Sequence, residues 1–342
     1  MQSITIGPNQ AGQRFDKFLH KYFPQAGSGF LYKMLRKKNI TLNGKKAEGK
    51  EILQEGDEVK LFFAQETFAK LKGTADHVSP ASNYHNAFLR LKGISVLYED
   101  SHVLILNKPA GILTQKASDN DLSLNEWMIG YLLEKQSITP EELQSFKPSV
   151  CNRLDRNTSG IVLCGKSLAG SQALSKLIHD RDLRKFYRTI VVGHVKEETH
   201  IDGYLVKNQR TNTVKIYPSF QSCPVNGDMI KTAYIPLKKI LLPKAHSFDL
   251  TYLEVELLTG KTHQIRAHLS SAGHPLIGDA KYGKPSVNTC FLKEYQLSHQ
   301  LLHAFRLEFP HLEGTLSGLD KRIITAPLPE QFIKILKEES SD

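Results

Sequence analysis

Cysteine, methionine and tryptophan are scarce in this 342-residue chain, at 4, 4 and 1 copies. Cys151, Cys164, Cys223 and Cys290 are scattered with no C-x-x-C pair, so neither a zinc site nor a disulfide framework is expected. Cys151 and Cys164 are read as small apolar packing residues in a reducing cytoplasm. No stretch approaches the roughly 18 consecutive apolar residues of a membrane helix. The start, Met1-Gln2-Ser3-Ile4-Thr5-Ile6, lacks a basic region followed by an apolar one, so secretion and membrane insertion are not expected. No G-x-x-x-x-G-K-[ST] phosphate loop occurs, which argues against an NTPase. Thr158-Ser159-Gly160 lacks the first glycine of a G-x-S-x-G nucleophile elbow, which argues against a serine hydrolase. His263 and His268 would sit about 140° apart around a helix, so they do not share a face as a His-Glu-x-x-His zinc pair would. No metal and no cofactor are expected.

Positive charge, by contrast, is in excess. Lys+Arg number 45 against 35 Asp+Glu, a formal net charge of +10. That balance favours a polyanionic partner, although a generic basic surface would give the same count. With 40% hydrophobic and 23% charged residues the composition is that of a globular protein, and the length allows two or three domains at about 100–200 residues each.

The stretch that organises the rest is Arg153-Leu154-Asp155-Arg156-Asn157-Thr158-Ser159-Gly160, running into the apolar Ile161-Val162-Leu163-Cys164. Asp155 lies between two arginines, and nearby opposite charge favours the ionised carboxylate, able to act as a nucleophile. Asn157 to Gly160 is turn chemistry. Physics alone equally permits a structural Asp–Arg pair ahead of a strand. The string itself, followed by Lys166, resembles the catalytic motif of RluA-type pseudouridine synthases. The resemblance implies that Asp155 is the catalytic residue that isomerises uridine within RNA. A histidine usually precedes Arg-Leu-Asp in that family; here the position is Asn152, so no role of that histidine carries over.

Further strings follow the same family. "Tyr-Glu-Asp-x-x-x-Leu-x-Leu-Asn-Lys-Pro-Ala-Gly" begins at Tyr98 and overlaps a predicted hairpin of Val96–Tyr98 and Val103–Leu106. Lys185-Phe186-Tyr187 matches its Lys-x-Tyr, which implies that Tyr187 stacks on the target base; the plainer alternative is a tyrosine at a core edge with its hydroxyl in water. Thr262-His263-Gln264-Ile265-Arg266 matches its third motif, which implies that Arg266 pairs with Asp155. Ser271 to Gly283 and His303 to Leu307 also follow the family text. Helices are predicted over Ser123–Leu133 and Leu168–His179, and a half-buried strand over Tyr252–Leu258.

Ahead of this lies a small basic module. Phe15, Phe18, Leu19 and Tyr22 fall at i, i+3, i+4, i+7, and a second helix capped by Ser28 turns Lys33, Arg36, Lys37 and Lys38 outward. Ile40-Thr41-Leu42-Asn43-Gly44 is a type I′ hairpin signal that returns through Lys45 and Lys46. The order resembles the alpha-L RNA-binding domain of ribosomal protein S-four over residues 12–63. The resemblance implies grip on phosphates through Arg14, Lys33, Arg36, Lys37 and Lys45, as contacts that position without reading sequence. Arg153 and Arg156 are expected to hold RNA at the cleft. Residues 64–94 lose periodicity and are expected to form a linker, with a catalytic domain over 95–335.

The expected fold is α+β: the small RNA-binding domain, the linker, and a domain with a mixed, mainly antiparallel sheet flanked by helices. The expected activity is isomerisation of uridines to pseudouridine in large-subunit ribosomal RNA by a cytoplasmic monomer. The alternatives are a tRNA-directed enzyme, the sister family with a Gly-Arg-Leu-Asp motif, or a non-catalytic RNA-binding or ribosome-assembly factor.

Overall fold

The computed structural model describes residues 2–72, 80–224, 226–242 and 248–338. The chain opens with β1 (Gln2–Thr5), α1 (Phe15–Tyr22), α2 (Ser28–Arg36), β2 (Ile40–Leu42), β3 (Lys45–Lys46) and β4 (Glu58–Leu61). The four strands form an antiparallel sheet in the order β1-β4-β2-β3. Phe15, Phe18 and Leu19 from α1 and Leu31 and Leu35 from α2 are buried against Ile40 and Val59. Asn43 and Gly44 both have positive φ, 50° and 71°, which is the type I′ geometry that the Asn-Gly pair favours. Two details differ from the sequence reading. The residue before α2 is Gly27, in extended conformation, and Ser28 is already helical. β1 also joins this sheet from outside residues 12–63.

The segment expected to be a linker contains α3 (Gln65–Lys72) and α4 (Pro80–Arg90), while Gly73, Thr74, Asp76 and Ser79 lie outside the described residues. Aromatic anchors explain the helices. Phe68 packs edge-on against Tyr22 and Phe23. Tyr84, Ala87, Phe88 and Leu91 make an i, i+3, i+4, i+7 stripe, which lies among Asn and His residues and is diluted in an average over composition. That stripe packs on α5 (Leu124–Glu134), with Phe88 on Trp127 at 5.6 Å and Gly130 directly under the Tyr84 carbonyl.

The remaining strands and helices run β5 (Ser95–Glu99), β6 (Val103–Lys108), α5, β7 (Ser149–Val150), β8 (Ser159–Gly165), α6 (Leu168–His179), β9 (Arg184–Val192), β10 (Thr199–Asn208), β11 (Thr213–Tyr217) and β12 (Asp228–Ile240). They end with β13 (Leu250–Leu257), α7 (Gln264–Ser271), α8 (Pro285–Tyr295), β14 (Leu302–Glu308), β15 (Ile323–Thr325) and α9 (Glu330–Glu338). One 11-stranded sheet carries them in the order β11-β10-β12-β13-β9-β14-β8-β6-β5, with β15 on β14 and β7 on β8. Among the described pairings between named strands, β8 with β14 is the parallel one. The α+β class and the mixed, mainly antiparallel sheet are therefore as expected. Strand period sorts the core: Tyr187 and Val191 of β9 enter one apolar cluster with Leu106, Val162 and Val255, whereas Ile190 and Val192 enter another with Leu250 and Phe291.

His303 on β14 has no solvent exposure, and its ring nitrogens lie 2.8 Å from the Ser159 hydroxyl and 3.4 Å from the Ala326 carbonyl. Burial pushes its pKa down to about 4, against a smaller upward pull from the Ala326 carbonyl. The unfolded chain therefore binds this proton first, and stability falls as pH drops from the ordinary histidine value of about 6.5 to about 4, by about 3 kcal/mol in total. Urea unfolding at pH 7 and pH 4.5 is expected to show most of that loss, and an equally steep decline in a His303→Asn protein would refute this assignment.

Candidate active site

The loop that carries Asp155 is fixed by the loop after β6. The Thr114 hydroxyl donates to the Leu154 carbonyl at 2.8 Å and accepts from the Leu154 N–H at 3.2 Å. The Gly111 N–H donates to the Arg156 carbonyl at 2.9 Å. Lys108 is fully buried, and its ammonium donates to the carbonyls of Pro109, Ile112 and Arg156 at 2.8–3.0 Å. Burial pushes its pKa down to about 7, with the charge of Asp155 pulling the other way. Three carbonyl acceptors match the three N–H groups of an ammonium, and we therefore assign the charged form. Within the loop, the Thr158 N–H closes a turn onto the Asp155 carbonyl at 3.1 Å. Asn152 stands where the resemblance leads one to expect a histidine, and its side-chain oxygen accepts from the Leu163 N–H of β8 at 2.7 Å.

Opposite stands α7. Its entry residue His263 is left-handed, with φ 55°. The Gln264 side chain accepts from Thr259 and from the Lys261 N–H and donates to the Lys231 carbonyl, which ties the helix start to β12. One turn in, Arg266 Nη1 donates to Asp155 Oδ2 at 2.9 Å, although 111 positions separate the two residues. The other edge of the same guanidinium is taken by Asp279, at 2.7 Å from Nε and 2.8 Å from Nη2. Burial alone would lower the Arg266 pKa, but its bonds to Asp279 and the charges of Asp279 and Asp155 raise it overall. Among the described residues, Asp155 Oδ1 has no hydrogen-bond partner, and the side chain is 25% exposed.

Tyr187 lies beside this pair on β9, 7% exposed. Its hydroxyl is pushed far above the ordinary tyrosine range, first by burial and then by the negative charge of Asp155. His263 completes the surround: Nε2 is 3.9 Å from Asp155 Oδ2, and Nδ1 is 3.0 Å from the Tyr282 hydroxyl. That hydroxyl already accepts the Val214 N–H at 2.8 Å, which leaves its proton for His263 Nδ1 and puts the ring's own N–H on the side of Asp155. Burial lowers the His263 pKa, more than the charge of Asp155 raises it, which favours the neutral ring.

The fold thus brings Asp155, Tyr187 and Arg266 together from a loop, a central strand and a helix. Arg153 and Arg156, the neighbours to which elementary electrostatics assigned the pairing with Asp155, both point to solvent and make no ion pair with it. Sequence proximity therefore overstated that interaction. Of the basic-module residues, Arg14 is engaged by Asp16 at 2.6 Å, and Asp16 also accepts from Tyr32. Lys33, Arg36, Lys37 and Lys45 are exposed. His268 points away, 3.0 Å from the Thr232 hydroxyl. Sequence reading gave no role to Asp279, Lys108 or Tyr282, and named His263 only as part of the Thr-His-Gln-Ile-Arg motif and as an excluded zinc ligand. The available signal was an acidic residue in the Gly278-Asp279-Ala280 turn directly after the apolar Leu276-Ile277, where an unpaired carboxylate would be costly.

The family model described as RNA pseudouridylate synthase matches residues 102–271. The chain is 28% identical over 338 residues to ribosomal large subunit pseudouridine synthase C of Vibrio vulnificus, covering 98% of this chain and 96% of that protein. It is 26% identical over 335 residues to ribosomal large subunit pseudouridine synthase D of Nitrosomonas europaea, covering 98% of this chain and 86% of that protein. Among solved structures, human RNA pseudouridylate synthase domain containing 4 superposes with a TM-score of 0.56 at 22% identity, over 76% of this chain and 97% of that one, which shows a shared fold.

Proposed function

The chain belongs to the RNA pseudouridylate synthase family, as an RluA-type member, and on that premise we propose that it isomerises uridines of large-subunit ribosomal RNA, with Asp155 as the catalytic residue. One observation carries the assignment of the site. Among the described residues Asp155 is anchored through Oδ2 alone, so its shape is fixed while Oδ1 stays free to react. A carboxylate with both oxygens tied would be a structural ion pair; this one is preorganised and half open.

The reaction balances without an outside reagent. The nitrogen–carbon glycosidic bond breaks, the base turns over, and a carbon–carbon bond forms through ring carbon five. That carbon gives up its hydrogen, and the ring nitrogen gains one. Asp155 acts on the ribose or the ring, Arg266 holds it in place, and Tyr187 packs against the base. The target uridine must first leave its stack, at a cost of a few kcal/mol. Exposed Arg153 and Arg156 at the mouth supply charge for the neighbouring phosphates. We place the reaction in the cytoplasm, where ribosomal RNA is available. Tritium at carbon five of an unmodified large-subunit transcript is expected to be released to water. Release from a tRNA transcript alone would overturn the substrate class, and release from neither would overturn the activity.

We assign residues 12–63 to RNA grip, residues 64–94 to the connection and residues 95–335 to catalysis. Four exposed cations, Lys33, Arg36, Lys37 and Lys45, support the first assignment. Replacing all four by glutamine is expected to weaken RNA binding and to flatten the dependence of log Kd on log salt by about 0.7–0.9 for each phosphate left without its cation. Turnover at saturating RNA should stay at the wild-type level. An unchanged salt slope in filter binding would assign the grip elsewhere.

A further inference from the structure

Strand pairing along one side of β8 stops three residues before Asp155, and a side chain takes it over. β7 pairs Ser149 with Gly165 and Val150 with Cys164, and the Cys151 N–H still donates to the Leu163 carbonyl at 2.7 Å. A continued antiparallel ladder would give the Leu163 N–H to the Cys151 carbonyl, and the Ile161 carbonyl to the Arg153 N–H. Asn152 supplies both partners from its side chain instead. Its oxygen accepts from the Leu163 N–H at 2.7 Å, and its nitrogen donates more weakly to the Ile161 carbonyl at 3.4 Å. The backbone thereby leaves the sheet at Asn152 while β8 keeps these two partners.

Thr114 repeats the device two residues on. Leu154 is buried, and among the described residues its N–H and carbonyl bond only to the Thr114 hydroxyl, at 3.2 and 2.8 Å. A hydroxyl is both donor and acceptor, so one side chain serves both backbone groups. Asp155 is the next residue, and its Oδ2 meets Arg266 at 2.9 Å. We propose that Asn152 and Thr114 are positioning residues for catalysis: standing in for strand backbone, they fix the course of residues 152–154 and so how far Asp155 is carried toward α7. Among the described residues neither side chain bonds to the carboxylate itself, and both act through the backbone of the loop.

This inference rests on the reading of Asp155 as the catalytic group, and its test separates the two. Single-turnover rate constants for tritium release would be measured at saturating RNA on the full chain for wild type, Thr114→Val, Thr114→Ser and Asn152→Leu, with RNA Kd and melting temperature for each. Wild type releasing tritium, and Asp155→Asn releasing none, establishes the underlying reading independently. Thr114→Val keeps the shape of the side chain and removes its hydroxyl; Asn152→Leu removes both amide bonds to β8. Arg156, one residue beyond Asp155, keeps its bonds to Gly111 and Lys108, so the displacement of the carboxylate is partial. Where a shift of about 1 Å costs about 100-fold, each of these two variants is expected to lose about tenfold in rate, with Kd within about threefold of wild type. Thr114→Ser restores the hydroxyl and is expected to bring the rate back to within about threefold of wild type. A full rate in Thr114→Val or Asn152→Leu beside a lowered melting temperature would assign that side chain to stability alone. A loss confined to Kd, or equal losses in Thr114→Val and Thr114→Ser, would also overturn the proposal. If Asn152→Leu does not fold, the contrast between Thr114→Val and Thr114→Ser still decides, because both keep a small side chain at that position.

Discussion

An Asp155→Asn protein is expected to release no tritium, a loss of about four orders of magnitude or more in single-turnover rate, while binding RNA and melting like the wild type. The substitution keeps the shape of the side chain and an acceptor for Arg266 Nη1 at its present 2.9 Å. It removes the charge and replaces the free oxygen by a donor. Folding should not suffer, because the buried guanidinium keeps Asp279 as a full counter-charge. The melting temperature should therefore stay within about 2 °C. A surviving rate within tenfold of wild type would exclude Asp155 as the reacting group. A collapse in melting temperature would show instead that the Asp155–Arg266 bond is structural.

Gly160→Val is expected to cost about 3 kcal/mol or more of stability and to reduce turnover with it. Gly160 has φ +110°, where a side chain is strained whatever the space. Space is absent as well: an added Cβ would lie 2.2 Å from the Ala304 carbonyl oxygen and 2.6 Å from its nitrogen. Both atoms are backbone, so no rotamer change relieves the clash. The collision falls at the parallel pairing of β8 with β14, where His303 meets Ser159 and Ala304 meets Gly160. Ala304 in turn stands opposite Tyr187 on β9. Forcing β14 away thus loosens both the strand under Tyr187 and the strand that follows Asp155. A urea midpoint for Gly160→Val within error of wild type would contradict this account of the junction.

Local signals in the sequence carried much of the fold. Leu168–His179 is a helix with the predicted bounds, and its Ser167 caps it by accepting the Gly170 N–H at 3.0 Å. The Asn43-Gly44 hairpin likewise needs only backbone preferences. Where helix formation depended on distant partners, the reading failed. α3 and α4 hold their places through Phe68, Tyr84 and Phe88, each docked on residues far along the chain. β1 similarly needs β4, some 55 residues later, to become a strand.

The site divides in the same way. Elementary electrostatics looked to Arg153 and Arg156, close to Asp155 on either side. The pairing found in the fold comes from a helix 111 residues away, and only the likeness of Thr-His-Gln-Ile-Arg to a family motif suggested it. Asp279 was passed over because a buried carboxylate inside a glycine turn has no visible partner until α7 and the turn before α8 are brought together. Tyr282 and His263 were obscure for a related reason: their joint orientation is set by the N–H of Val214 on β11, a strand from another part of the chain.

The central claim, that Asp155 isomerises uridine in ribosomal RNA, is tested most directly by mapping. Unmodified large-subunit transcript would be incubated with wild type or with Asp155→Asn, treated with carbodiimide, and read by primer extension. New stops with wild type at discrete uridines, and none with Asp155→Asn, are the predicted result, and the stops would name the site. Equal stops with both proteins, or none with either while both bind the RNA, would contradict the account.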